Sequence, residues 1–191
     1  MKTSKVTLPI FPLPVFLLPH GITRLRIFEP RYLKMVSIAA KGYGFAILLN
    51  TKDKAHAETH WASWVDIVNF DQGDDGMLII DVKCKALVEI ESMTTEADNL
   101  RFGVVHQVEH WSQNESDDIV KKLSSSLLKV FNENNELSSL YQDKFFGNAH
   151  WVVARWLELL PADVSAKCIF ANDHSYEQAK EFVQTIIFQE K

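Results

Sequence analysis

The sequence predicts an α+β fold in which a β-rich first part is followed by a helical second part. Before residue 113, short apolar or alternating runs recur with the period of strands. After that point, apolar residues recur every three or four positions, as they do along helices. The 191 residues are 47% hydrophobic and 24% charged, a composition typical of a globular chain that can bury a core. We therefore expect one subdomain at 1–113 and a second at 114–191.

Strands and one helix are expected in the first part. The predicted strands are 6–11, 23–27, 44–49, 62–70, 77–82, 86–90 and 102–111. Pro30 suits the first position of a helix, with Glu29 before it, and Gly42 suits the end of that helix. The segment 71–76 is rich in Asp and Gly, which favours a hairpin turn.

The second part is predicted to be a helical bundle. Ser116 is a suitable N-cap for a long helix, because two aspartates follow it in the first turn. Asn148 can cap a second helix that Pro161 ends. A last helix is expected over 175–188.

The charge pattern argues against a dedicated nucleic-acid binder. The net charge is −5, whereas binding to phosphates needs a basic footprint. A cationic cluster at Arg24, Arg26, Arg31 and Lys34 could still attract acidic partners, but we interpret it as a solvated rim paired with acidic residues further along the chain.

A cytoplasmic protein is expected. Prolines at positions 9, 12, 14 and 19 exclude the helix of a signal peptide, and no apolar run is long enough for a membrane span. The cysteines, Cys84 and Cys168, do not resemble a disulfide framework, so a reducing compartment is the natural one.

No motif predicts a cofactor or a metal. The glycines do not form a phosphate-binding loop. His56 and His60 have helical i, i+4 spacing, but their polar surroundings favour a solvated loop. His106 and His110 fall in a predicted strand, where four residues span about 13 Å, too far to share an ion.

Only one pair of residues suggests catalysis. Cys84 and His106 lie on strands that could be neighbours, although a buried structural thiol is the simpler interpretation of a strand cysteine.

Aromatic and apolar side chains supply the candidates for a polypeptide-binding surface. Alternation places Trp64 and Phe70 on the outer face of a strand if Val65 points inward. An outward Trp64 would be covered by the helical part or belong to a surface patch. The same question, core or surface, applies to the segment near residue 16. The candidates are Phe16, Leu17, Trp61, Trp64 and Phe70.

Three segments resemble the N-terminal domain of Lon proteases. Residues 8–36, LPIFPLPVFLLPHGITRLRIFEPRYLKMV, resemble the opening of that domain, and residues 62–90 and 154–161 resemble its central hairpin and its Arg-x-x-Glu-Leu-Leu-Pro helix. The motif residues have structural roles in this interpretation; they are Phe28, Glu29, Pro30, Arg31, Tyr32, Arg155 and Glu158.

The resemblance implies a six-stranded, PUA-like pseudo-barrel crossed by one helix and followed by a C-terminal helical bundle. It also implies a non-catalytic module that binds unfolded or specific polypeptides, with a protease or chaperone system as a partner. The chain has no ATP-binding loop and no recognisable Ser-Lys site, so a stand-alone substrate-binding domain without catalysis is expected. The alternatives are an RNA-binding module and a hydrolase that uses Cys84 or a serine.

Overall fold

In the part of the chain that the structure describes, a six-stranded sheet and one helix form the first of two compact units, Met1–Val108 and Glu109–Lys191. The computed structural model describes residues 4–50, 60–111 and 116–189. The elements described in the first unit are β1 (Val6–Leu13), β2 (Ile22–Ile27), α1 (Pro30–Ala39), β3 (Phe45–Leu49), β4 (Trp61–Gln72), β5 (Leu78–Thr95) and β6 (Arg101–Val108).

The sheet closes on itself through β5. The strand order is β2-β5-β4-β3-β1-β6, and β6 also pairs with β5, so five strands form a closed ring. Residues 78–83 of β5 pair with β2, and residues 87–95 pair with β6. All pairs are antiparallel except β1 with β3. The expected six-stranded sheet of an α+β fold is thus confirmed, with five of its strands in the ring and β2 paired to β5 outside it.

The two strands predicted at 77–82 and 86–90 are one continuous strand. Lys83 and Lys85 flank Cys84, which is fully buried, while Lys85 is exposed. The lysines therefore occupy outward positions of an alternating strand, and the prediction of a break between them was wrong.

Side chains from all five strands of the ring fill the barrel interior. The buried cluster contains Leu8, Ile10, Ala46, Ala62, Val88 and Val105, each at most 1% exposed. Alanines at two of these positions leave room for the larger branched residues opposite, as is usual inside a small barrel.

Helix α1 begins at Pro30, as predicted, and its last residue is Ala39. The chain then turns back toward β3 through Gly42 and Gly44. Gly44 has a φ of 71°, and a Cβ there would lie 1.9 Å from the carbonyl oxygen of Val65. Only glycine fits this turn without displacing the backbone.

The second unit is helical, as predicted. Its elements are α2 (Asp118–Glu133), α3 (Asn135–Leu140), α4 (Ala149–Leu159), α5 (Val164–Lys167), two 3₁₀ turns (Cys168–Ala171 and Asp173–Ser175) and α6 (Tyr176–Gln189). Asn148 caps α4 by accepting a hydrogen bond from the Trp151 amide, which confirms that prediction. The cap of α2 is Asp117 and not Ser116, because the Asp117 carboxylate accepts from the Val120 amide.

Among the described residues, no helix combines the length and the apolar character that crossing a bilayer requires.

Candidate functional site

A cleft of about 530 Å³ opens in the first unit, at the end of the barrel where β1 and β3 finish. Because these two strands run parallel, their carboxyl ends lie side by side, and Leu13 is in register with Leu49. The junction of β2 with α1 and the turn between β5 and β6 complete the walls. Its volume is within the range of pockets that hold small ligands.

The base of the cleft is formed by buried apolar side chains. Phe11 and Tyr32 are buried, and their ring centroids are 4.0 Å apart. Leu49, also buried, lies beside them in the lining. Tyr32 is held by α1 and Phe11 by β1, so the two aromatic rings join the helix to the barrel at the base of the cleft.

Phe28 is the large apolar side chain of the lining that this packing leaves in solvent, with 65% of its surface exposed. Leu25 and Ile27 are buried, so strand alternation directs Arg24, Arg26 and Phe28 outward. A large apolar side chain on the wall of a cleft offers a contact surface to a ligand.

Three arginines give the cleft its charge. Arg26 forms an ion pair with Asp75. Arg31 lies 2.7 Å from the Glu29 carboxylate, and its guanidinium is 4.7 Å from the centre of the Tyr32 ring. Arg101 has no carboxylate partner among the residues that the structure describes. The backbone of Arg101 is in register with Ile10 on one side and with Thr95 on the other.

The turn before Arg101 keeps its acidic side chains bound to a lysine. Lys34 of α1 lies 2.5 Å from the Glu96 carboxylate and 2.7 Å from that of Asp98. The hydrogen bond from Lys34 lowers the pKa of Asp98, so this carboxylate is ionised at neutral pH. Asn99 adopts a φ of 64°, a left-handed conformation that Asn tolerates in turns.

The cationic cluster predicted from the sequence is a paired rim, as interpreted. Arg24 donates two hydrogen bonds to the Asp81 carboxylate, at 2.7 and 3.0 Å, and this bonding lowers the pKa of Asp81. Arg26 and Lys34 also pair with carboxylates further along the chain, whereas the partner of Arg31 is Glu29, which precedes it.

None of the five residues predicted to bind polypeptides lines this cleft. Phe16 and Leu17 are buried, so the alternative that they belong to the core is the correct one. The Leu17 carbonyl accepts a hydrogen bond from the Ser63 hydroxyl, and the Phe16 ring meets the Trp61 ring edge-on at 6.0 Å.

The three remaining candidates lie on β4, and Trp61, its first residue, is half-buried. Trp64 is half-buried, and its indole donates to the Tyr43 carbonyl at 2.6 Å while the Lys85 amine lies 4.2 Å from the ring. Phe70 is 53% exposed.

The histidine and cysteine pairs do not form a reactive site in the described part of the chain. His56 lies outside the described residues. Cys84 lies on β5, and His106 of β6 is in register with Glu89, which is five residues further along β5 than Cys84. Cys84 and His106 are therefore about 16 Å apart along the strand. The Cys84–His106 pair is therefore not brought together. The strand predicted to include His110 ends at Val108. Residues 4–50, 60–111 and 116–189 contain no metal-binding group of three or more His, Cys, Asp or Glu.

The motif residues hold structural positions. Pro30 opens α1, Glu29 pairs with Arg31, and Tyr32 is buried. In the second unit, Arg155 is 1% exposed and lies 2.7 Å from the Glu158 carboxylate, the i, i+3 pairing expected from their spacing.

Sequence reasoning missed Asn99 and Arg101. The signal that could have found them is the Asp98-Asn99 pair, which is typical of a tight turn before a strand. This pair marks Arg101 as the first residue of the strand, at the rim of the barrel.

Comparison with known families decides the relationship. Residues 7–167 match the model of the ATP-dependent protease La (Lon) substrate-binding domain. The chain belongs to this family. The matched region contains every residue that lines the cleft.

Solved Lon N-terminal domains share the fold. The Lon N-terminal domain protein from Xanthomonas campestris superposes with a TM-score of 0.71 at 24% identity, covering 93% of this chain and 97% of that one. The N-terminal domain of the Mycobacterium avium complex Lon protease gives a TM-score of 0.59 at 8% identity, covering 93% and 96%. No curated protein sequence matches the chain.

Proposed function

We propose that this protein binds polypeptides, without hydrolysing them, through the cleft of its first unit. The single observation that carries the proposal is the composition of the cleft, in which a buried aromatic base, an exposed Phe28 and arginine side chains meet in one concave surface. Membership of the Lon substrate-binding family supports the same conclusion.

The dimensions of the cleft suit a short segment of an unfolded chain. About 530 Å³ is enough for a few side chains and too little for a folded domain. An unfolded chain presents apolar side chains together with backbone amides, and the cleft offers an apolar surface together with polar groups at Asn50 and Asn99. A protease or chaperone that acts on unfolded chains is the partner class we expect.

The pairing of the basic residues disfavours RNA as the ligand. Contacts to successive phosphates need several available cations, whereas Arg24, Arg26 and Lys34 are each engaged by a carboxylate. The hydrolase alternative loses its cysteine candidate because Cys84 is buried and far from His106.

Fluorescence anisotropy tests the proposal. We would titrate the protein into a labelled, permanently unfolded polypeptide, into the same polypeptide in a folded form, and into a labelled RNA. We expect binding to the unfolded polypeptide alone. Phe28→Ala should weaken that binding roughly fivefold or more, because exposed aromatic residues are frequent binding hot spots.

The matched control is Phe188→Ala. Phe188 lies on α6 and is 40% exposed, so this variant also removes an exposed aromatic ring, but outside the cleft. Equal loss in both variants would argue against the cleft. Absence of binding to any unfolded polypeptide would overturn the proposed function.

A further inference from the structure

The arginines that line the cleft differ in whether they are free of a carboxylate partner within the described residues and can bind an anionic ligand. Arg26 and Arg31 are each held by a carboxylate, of Asp75 and Glu29 respectively. Arg101 lines the same cleft, and no carboxylate of the described residues binds it. A guanidinium in this state retains its full capacity to bind an anion.

The acidic groups nearest in sequence to Arg101 do not compete for it. Glu96 and Asp98 precede it in the β5–β6 turn, and both carboxylates are bound by Lys34. The Asp98 carboxylate also accepts a hydrogen bond from the Leu100 amide at 3.0 Å. These contacts hold the two acids on the α1 side of the turn, while the Arg101 side chain lines the cleft.

The position of Arg101 is set by the sheet. Strand pairing on both sides fixes its backbone, and Leu100, which precedes it, is fully buried. The Asn99 amide donates to the Glu96 carbonyl at 2.9 Å, which closes the turn. A cation on such a fixed backbone can select a ligand group at a lower entropic cost than one on a flexible loop.

We propose that the cleft selects segments that carry a carboxylate beside an apolar side chain, with Arg101 binding the carboxylate and Phe28 contacting the apolar group. This inference rests on the proposed function and narrows its substrate class to acidic, partly apolar polypeptide segments. A planar guanidinium binds a carboxylate through two parallel hydrogen bonds, and Asn99 on the same turn lines the cleft beside it. The carboxylate is that of an Asp or Glu side chain in the bound segment.

A peptide series tests this selection. The probe is a short, fluorescein-labelled peptide that contains two glutamates and two leucines and ends in an amide. Three companions replace glutamate by glutamine, replace glutamate by lysine, or combine the glutamine sequence with a free C-terminal carboxylate. Anisotropy is measured for each peptide, for the unfolded polypeptide and for an RNA.

We expect the glutamate amide to bind at least tenfold more tightly than the glutamine amide, since hydrogen bonds to charged groups are the stronger ones. Tighter binding of the glutamine peptide with a free end than of the glutamate amide would overturn the inference, because it would identify C-termini as the target. Arg101→Gln should remove this preference, whereas binding of the glutamine amide should be unchanged.

Lys41→Gln is the matched control, because it removes one positive charge from an exposed site of the same unit outside the cleft. Circular dichroism establishes that both variants remain folded. Binding of the unfolded polypeptide with no preference among the peptides, or equal effects of the two substitutions, would overturn the inference and leave the proposed function intact. RNA binding that Arg101→Gln abolishes, without peptide binding, would overturn both.

Discussion

At the scale of single residues, His110 shows how burial controls ionisation in the second unit. Its Nε2 lies 3.0 Å from the Phe170 carbonyl oxygen, and its ring stacks on Trp111 with centroids 4.3 Å apart. Burial lowers the pKa of His110 from 6.5 to about 4, with the Phe170 carbonyl opposing the shift. His150 and Arg155 lower it further, and Asp173 raises it. The imidazole is therefore neutral at pH 7 and donates its Nε2 proton to the carbonyl.

This shift predicts that acid destabilises the second unit before its carboxylates are protonated. In the unfolded chain His110 has a pKa near 6.5, so below that pH the unfolded state binds a proton that the folded state does not. Stability should fall from about pH 6.5 down to about pH 4, by roughly 2 kcal/mol at pH 5. Urea unfolding at pH 7.5 and pH 5 measures the difference.

His110→Gln should remove most of this pH dependence. The control is His174→Gln, which removes an imidazole that is 93% exposed in the same unit. An unaltered dependence in His110→Gln would show that another group is responsible.

At the scale of elements, the turn between α1 and β3 depends on one of its two glycines. Gly44 combines a φ of 71° with a backbone oxygen 1.9 Å from where a Cβ would be, whereas nothing lies within 4 Å of a Cβ at Gly42. The two glycines are separated by a single residue and differ in what surrounds them.

We expect Gly44→Ala to lower the free energy of unfolding by about 2 kcal/mol or more, since both conformation and contact oppose the added methyl group. Gly42→Ala should change it by less than about 0.5 kcal/mol. Thermal unfolding followed by circular dichroism compares the variants. Similar losses of stability in the two variants would contradict this expectation, because they would show that the turn responds to an added side chain in the same way at both positions.

The elements themselves were largely predictable from sequence, because their signals are local. Alternation located each strand, and Pro30 and Asn148 marked helix starts through their own backbone and side-chain chemistry. The failures were also local. Ser116 and Asp117 can both cap a helix, and only the geometry of the Val120 amide decides between them. A break between two strands was predicted at Lys83 and Lys85 because the sequence does not show that β5 continues past its pairing with β2 to pair with β6.

At the scale of the whole chain, the cleft could not be predicted, because its walls come from four segments that are distant in sequence. The parallel pairing of β1 with β3 and the closure of β6 on β5 bring them together. The importance of Arg101 emerges only after the partners of Arg26 and Arg31 are known. By contrast, Phe16 and Leu17 attracted interest as apolar residues between prolines, and burial explains them fully.

The pairing of β5 with three other strands affects the order in which the strands of the first unit separate on unfolding. One of its edges pairs with β4, while the other is divided between β2 and β6, so loss of any one neighbour leaves β5 paired elsewhere. Amide hydrogens of residues 78–83 and 87–89, which have a strand on both sides, should therefore exchange with deuterated solvent only through complete unfolding of the unit. Those of α3, which buries none of its side chains, should exchange through local fluctuations. Native-state hydrogen exchange would then rank β5 as the last strand to separate.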